Sequence, residues 1–312
     1  MHKPSAVIDK SLFHELCKQS GAKERERLWQ ELHLKYQLIV PQILIEETVV
    51  NAVKPGTRPL DEAARLIEQV ALHQTCWLDD IQEIVFQEFV RRTSPTTLPA
   101  LAEPVVAEVF KLRRDDQALK QWVEDRKQSA RLTHDQWKAE QQHLITLEKR
   151  TDLTGEAEMF DVVRSNFLHI LLSDDSRNEM LEHILGVVFR PRYPDEKNSI
   201  DRAFNEFTPQ TFTKYYATLA YLQTRLAYVL APVFKLPGSA PHMGIRFLKQ
   251  KPNNVYDSEY VASALICDRF LTRDKEQARM CRIFELGGFW KGKVVYIPPD
   301  QDICMAIPSA LI

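Results

Sequence analysis

Two short apolar runs near opposite ends of the chain each stop at an aspartate. Ala6-Val7-Ile8 runs straight into Asp9, and Arg269–Thr272, with Phe270 and Leu271 at its centre, is followed by Asp274. An apolar strand that ends in Asp is the usual way an open α/β sheet presents a carboxylate at its carboxyl edge. Similar units flank both runs. Gln37–Val40 is a second apolar strand, stopped by Pro41, and the run PQILIEETVVNAVK then reads as a helix with Pro in its first turn and Ile43, Leu44, Val50 and Val53 at helical spacing. Thr75–Asp79 is a short strand or a turn, and Lys293–Ile297 is a last strand closed by Pro298-Pro299. Strands alternating with helices at both ends predict a parallel α/β sheet flanked by helices.

Between the two ends the pattern changes. From about residue 81 to 233 nearly everything is amphipathic and helical, with few glycines. The expected organisation is therefore a discontinuous sheet domain, residues 1–80 and 236–312, interrupted by an all-helical insertion, residues 81–235. Helices are expected at Ser11–Cys17, at Lys23–Lys35 with Leu28, Trp29 and Leu32 inward, at Asp61–Leu72, at Thr154–Leu172 and at Thr208–Ala231. Ser94–Pro104 reads as a linker, Val105–Lys149 as charged helices and Arg190–Pro194 as a loop. The aromatics of the Thr208–Ala231 segment are read as helix–helix core. Arg113, Arg114, Lys120, Arg126, Lys127 and Arg131 are read as a solvated face, with a nucleic-acid or partner surface as the alternative.

The stretch from Asn253 to Glu276 carries most of the chemistry. Asp257 is expected to open a helix with Val261, Ala264 and Leu265 on its apolar stripe. The strand that follows runs back antiparallel to that helix, so Asp257 and Asp274 are expected to be neighbours. Asp268 lies at the far end of the helix, roughly 16 Å away at 1.5 Å per residue, and is excluded from the same site. Helix capping alone accounts for either Asp taken singly. Asp9 and one of the adjacent pair Glu46 and Glu47 fall on the same predicted edge, and the pair points about 100° apart, so at most one faces the centre. Converging carboxylates repel one another unless cations compensate. An all-oxygen set of this kind suits Mg²⁺ or Mn²⁺, and such an ion activates water and stabilises a phosphodiester transition state.

The rest of the sequence narrows the alternatives. A formal charge of −2 over 312 residues argues against a protein that coats nucleic acid, so any such contact is local. The five cysteines are scattered, without a C-x-x-C pair, and are read as free thiols in a reducing compartment. The start has no apolar signal region and no stretch is long enough to span a bilayer, so a cytoplasmic protein without membrane contact is expected. There is no phosphate-binding G-x-x-x-x-G-K-[ST] loop, no G-x-G-x-x-G, no H-E-x-x-H and no G-x-S-x-G.

VIDKS at 7–11, IVPQILIEE at 39–47, YDSEYVASAL at 256–265 and FLTRD at 270–274 together resemble the motifs of PIN-domain nucleases, relatives of VapC-type toxins and more distantly of flap endonucleases. The resemblance covers the two ends of the chain and leaves the helical block out. It implies a metal-dependent endoribonuclease that hydrolyses single-stranded RNA with Mg²⁺ or Mn²⁺, water attacking in line, in the manner of a toxin or defence effector. By the same resemblance Asp9, Glu47, Asp257 and Asp274 are the catalytic, metal-binding acids, Thr272 and Ser11 supporting hydroxyls, and Arg273 and Lys275 contacts to RNA phosphate. Lys10 departs from the pattern, since a small polar residue is common beside the first Asp. A cation there offsets the acids or takes the metal's place. The alternative expectation is a PIN-like protein without catalysis that binds RNA, a protein partner or an inhibitor through its helical block.

Overall fold

The computed structural model describes residues 3–17, 22–52, 76–93, ten positions between 117 and 135, and residues 156–211, 214–230, 254–303 and 307. The expected Asp61–Leu72 helix and Ser94–Pro104 linker, and most of Val105–Lys149, lie outside the described residues.

Five strands form one all-parallel sheet: β1 (Ser5–Ile8), β2 (Gln37–Pro41), β3 (Cys76–Leu78), β4 (Arg269–Thr272) and β5 (Lys293–Tyr296), in the spatial order β3-β2-β1-β4-β5. The registers put Val7 opposite Ile39 on one side and Phe270 on the other, and continue through Val40–Trp77 and Phe270–Val294. Thr75–Asp79, left between strand and turn by its composition, contributes a strand. The central strand is buried on both faces, with Ala6, Val7 and Ile8 at 0% exposure, as expected of a parallel sheet covered by helices. Chain order runs outward from β1 through β2 to β3, then resumes on the other side of β1 with β4 and β5. The order reverses between β1 and β4. Ligands of open α/β sheets bind in the crevice beyond the carboxyl ends of strands at such a switch point.

The helices, in chain order, are α1 (Lys10–Leu16), α2 (Ala22–Lys35), α3 (Gln42–Ala52), α4 (Ile81–Phe89), α5 (Glu156–Leu172), α6 (Asp174–Leu181), α7 (Val187–Arg192), α8 (Lys197–Glu206), α9 (Tyr216–Leu230), α10 (Asn254–Leu265) and α11 (Lys275–Leu286). Leu28, Trp29 and Leu32 of α2 are buried, as their spacing predicts. Arg190–Pro194 is not a loop throughout. Helix α7 runs to Arg192 with Pro191 inside it, after a π-helical turn at Glu182–Gly186. Side chains anchor this helix: Arg190 pairs with Glu182 and Asp201, and Arg192 with Asp80.

The described helices of the 81–235 stretch share one hydrophobic core with the sheet. Every residue of α9 from Ala217 to Leu230 is buried. This helix begins at Tyr216, eight residues later than the aromatic run suggests, and its first turn is capped from elsewhere. Glu88 on α4 accepts from the backbone N–H groups of Ala217 and Thr218, at 3.1 and 2.7 Å, and from the Thr218 hydroxyl at 2.7 Å. The orphan donors of a buried helix start are thus satisfied by a carboxylate distant in sequence. Tyr221 and Tyr228 of α9 lie in the core, as expected, whereas Tyr216 is 42% exposed.

Helix α5 packs on α11 through a T-shaped Phe160–Phe284 pair. Gly287, just past α11, leaves room for Phe160, since any Cβ there would overlap its ring. Gly288 then takes the left-handed turn at φ 73°. Cys267 and Cys281 are buried free thiols. Among the described residues no helix is long and apolar enough to cross a membrane.

Candidate functional site

Asp9 is the first residue past β1 and caps α1. It accepts from the Leu12 backbone N–H at 2.7 Å, the Ser11 hydroxyl at 2.7 Å and the Thr272 hydroxyl at 2.6 Å. Thr272, last residue of β4, also receives the backbone N–H of Asp274 at 2.8 Å, so one hydroxyl ties the ends of the two central strands together. The Asp9 carboxyl is only 1% exposed. Burial raises its pKa; the hydrogen bonds from Ser11, Thr272 and Leu12 pull it down, and the charge of Asp274 pushes it up again.

Asp274 lies just beyond β4 and caps α11, accepting from the Gln277 backbone N–H at 2.9 Å. The side-chain amide of the same Gln277 donates to Asp257 Oδ1 at 2.9 Å. Gln277 therefore bridges the two acids, as the antiparallel run of helix and strand predicts for that pair. Asp257 does not cap its helix: α10 begins at Asn254, and Asp257 stands in its first turn. Its carboxyl pKa is pushed up to about 8, first by burial, then by the charges of Asp274 and Glu47, against the opposing hydrogen bond from Gln277.

Glu47 and Glu46, left open by the sequence, face different neighbours. Glu47 pairs with Lys10, and its charge reaches Asp257 and Tyr260. Glu46 accepts from Gln42 at 2.9 Å and its charge bears on Glu259, outside the group formed by Asp9, Asp257 and Asp274. Asp268 is held at the opposite, amino edge of the sheet by the backbone N–H and hydroxyl of Ser5, each at 2.8 Å.

Three groups beside the acids escaped the sequence reading. The buried Tyr260 phenol has its pKa raised well above the ordinary value by burial and by Glu47, Asp9 and Asp257. Tyr228 is shifted the same way by burial and then chiefly by Asp257. Tyr260 follows Asp257 by three residues, a spacing that puts both on one helix face and was the available signal. The third is the Gln277 amide, visible in sequence only as a capping partner of Asp274. Arg273 does not stand free on the surface for phosphate. It is 9% exposed, and its Nη2 donates to the carbonyls of Pro298, Pro299 and Gln301 at 3.2, 2.6 and 3.0 Å. It fastens the loop after β5. Lys275 is exposed at the first turn of α11.

Among the described residues no three side chains of His, Cys, Asp or Glu stand as an assembled ligand set. Each acid is engaged instead: Asp9 by two hydroxyls and an N–H, Glu47 by Lys10, Asp257 by the Gln277 amide and Asp274 by the Gln277 N–H. The donor chemistry nonetheless suits a hard cation, being carboxylate oxygen together with a buried Gln277 Oε1, on the amide that contacts Asp257, that has no hydrogen-bond donor among the described residues. A second polar cluster lies on the other side of α10. There Glu259 accepts from Arg225 and from Gln82, each at 2.9 Å, and Arg225 also donates to the Tyr221 hydroxyl at 2.8 Å. Comparison with protein families, with curated proteins and with solved structures finds no match for the chain.

Proposed function

We propose that the protein is a PIN-like, metal-dependent endonuclease that hydrolyses single-stranded RNA. The observation that carries this reading is electrostatic. Asp9, Glu47, Asp257 and Asp274, far apart in the chain, stand close enough at the carboxyl edge of the β1–β4 switch point for Asp274 to raise the pKa of Asp9, and for Asp274 and Glu47 to raise that of Asp257. Folding together more carboxylates than there are cations to pair them costs stability, and such groups cluster at functional sites.

In this reading Asp9, Asp257 and Asp274, with Glu47 when released from Lys10, hold Mg²⁺ or Mn²⁺. The ion supplies positive charge to the scissile phosphate and lowers the pKa of a water. The chain's own residues do the positioning. Ser11 and Thr272 fix the Asp9 carboxylate, and Gln277 fixes Asp257 relative to the start of α11. Lys275, exposed beside Asp274 in sequence, would meet a phosphate in this reading; Arg273, spent on backbone carbonyls, would not. A toxin or defence role fits this activity.

The test is cleavage of end-labelled single-stranded RNA by the purified chain with Mn²⁺ or Mg²⁺. Asp9→Asn and Asp257→Asn should each lose more than about 100-fold in rate while keeping the folded circular-dichroism spectrum. Thr272→Val, which removes only a support, should lose about 10–100-fold. The Lys10–Glu47 pair favours a second reading, in which the same fold acts without catalysis as an RNA- or protein-binding scaffold through its helices. A wild-type chain that binds RNA but never cuts it, with either ion, would decide for that second reading.

A further inference from the structure

Lys10 is the first residue of α1 and the immediate neighbour of Asp9, and its ammonium reaches across to Glu47 on α3. The pair is mostly buried, at 22% and 16% side-chain exposure, so water screens it less than a surface pair. Glu47 is also the acid whose charge bears on Asp257 and on the buried Tyr260. The ammonium therefore neutralises the one carboxylate that links α3 to the rest of the cluster. On the far side, the amide of Gln277 spends its nitrogen on Asp257 while its oxygen, buried in a residue only 5% exposed, has no donor among the described residues. A buried acceptor left unsatisfied at the end of an amide that already touches the cluster is an independent mark of a missing donor or cation there. One side of the cluster holds a tethered cation, and the other side has an oxygen waiting for one.

We infer that Lys10 is a built-in competitor for the divalent ion: it occupies Glu47 in the ion-free protein, and must leave that carboxylate before a metal can use it. The inference rests on the metal-site reading above. It accounts for the orientation of Glu47 in particular, whose carboxylate is turned to a cation on its own chain. It also gives Lys10 a definite effect. Lys10 offsets the charge of Glu47 beside the other acids, and it lowers their affinity for the ion.

The experiment is a Mn²⁺ titration of the full-length chain, read by the loss of the free-ion electron paramagnetic resonance signal, on wild type, Lys10→Met and Lys10→Gln. Both variants should bind Mn²⁺ about tenfold more tightly or better, the order expected when a competing charge is removed from a partly buried site. Two uncharged variants are used so that a folding defect in one does not decide the result, and unfolding midpoints without metal report on that separately. The gain should depend on Glu47. In a Glu47→Gln background, Lys10→Met should improve binding less than about twofold, since the competed carboxylate is gone. Equal affinity of wild type and both Lys10 variants would overturn the role of Lys10 while leaving the metal site standing. An equal gain with and without the Glu47 carboxylate would overturn it too, since the effect would then be general charge rather than occupancy. No saturable binding by any form would remove the metal site itself, and the inference with it.

Discussion

Helix α10 separates two buried polar clusters that began from similar material and ended differently. On one side, Glu259 meets Arg225 and Gln82, Arg225 also meets Tyr221, and the Asp80–Arg192 pair is close by. On the other, two residues earlier on the same helix, Asp257 meets Asp274 and Glu47, with Lys10 as the only cation seen on these acids among the described residues. In the first cluster Glu259 and Asp80 each have a guanidinium partner, although burial and the charges of Asp80 and Glu46 still push the Glu259 pKa up to about 7. In the second, acid outnumbers base. A balanced buried network costs desolvation and returns it through hydrogen bonds, so it fixes packing. An unbalanced one stays in tension and is relieved only by protons or by an added cation. The difference is one of charge balance between two acids on the same helix, Glu259 set against guanidinium groups and Asp257 against other carboxylates.

The contrast can be broken first at Arg225. Arg225→Met strands Glu259 in the core and should cost about 3–5 kcal/mol of stability in urea unfolding. A loss below about 1 kcal/mol would show that the balanced cluster is not structural.

The next effect is on pH dependence. The Asp257 carboxyl goes from an ordinary 3.8 when unfolded to about 8 when folded. Between those values the folded state holds more protons than the unfolded state, so this group's contribution to stability is whole below the lower value and is lost as pH rises through the window. The slope is at most about 1.4 kcal/mol per pH unit for one proton. Asp9, raised in the same direction, adds to it. Wild type without metal should therefore lose stability between about pH 5 and pH 8 relative to Asp257→Asn, as measured by denaturation at several pH values. A difference that does not change with pH would contradict the shift.

The smallest effect is the sign of Asp257→Asn at neutral pH. Asn keeps an oxygen for the Gln277 amide and carries no charge to repel Asp274 and Glu47, so the variant should be the more stable of the two. Glu259→Gln should do the reverse, because it weakens a paired acid. If both substitutions shift stability in one direction, the two clusters are not different in kind.

Much of the frame was legible in the chain. The apolar runs that end at Asp9 and Asp274 are local features, and a parallel sheet brings strand ends to one edge whatever lies between. Capping of α11 by Asp274 and termination at Gly287-Gly288 are local too. What was not legible depends on partners far away in sequence. The start of α9 is set by Glu88 on another helix, so the aromatic run around it marked the core and not the boundary. The choice between Glu46 and Glu47 follows from how α3 is rotated against α10, and no spacing within α3 reveals that. Arg273 read as a surface cation because its three carbonyl partners come from the loop after β5. Gln277 read as a cap because its amide contact with Asp257 closes only when α10 and α11 pack side by side.

The acids at the β1–β4 switch point are tested most directly as a cation site by a crystal of the full chain soaked in Mn²⁺, with anomalous scattering recorded above the manganese edge. The expected result is a peak bounded by carboxylates of Asp9, Asp257 and Asp274, with the Lys10 ammonium withdrawn from Glu47. Carboxylates free of manganese at saturating concentration, with Lys10 still seated on Glu47, would contradict it.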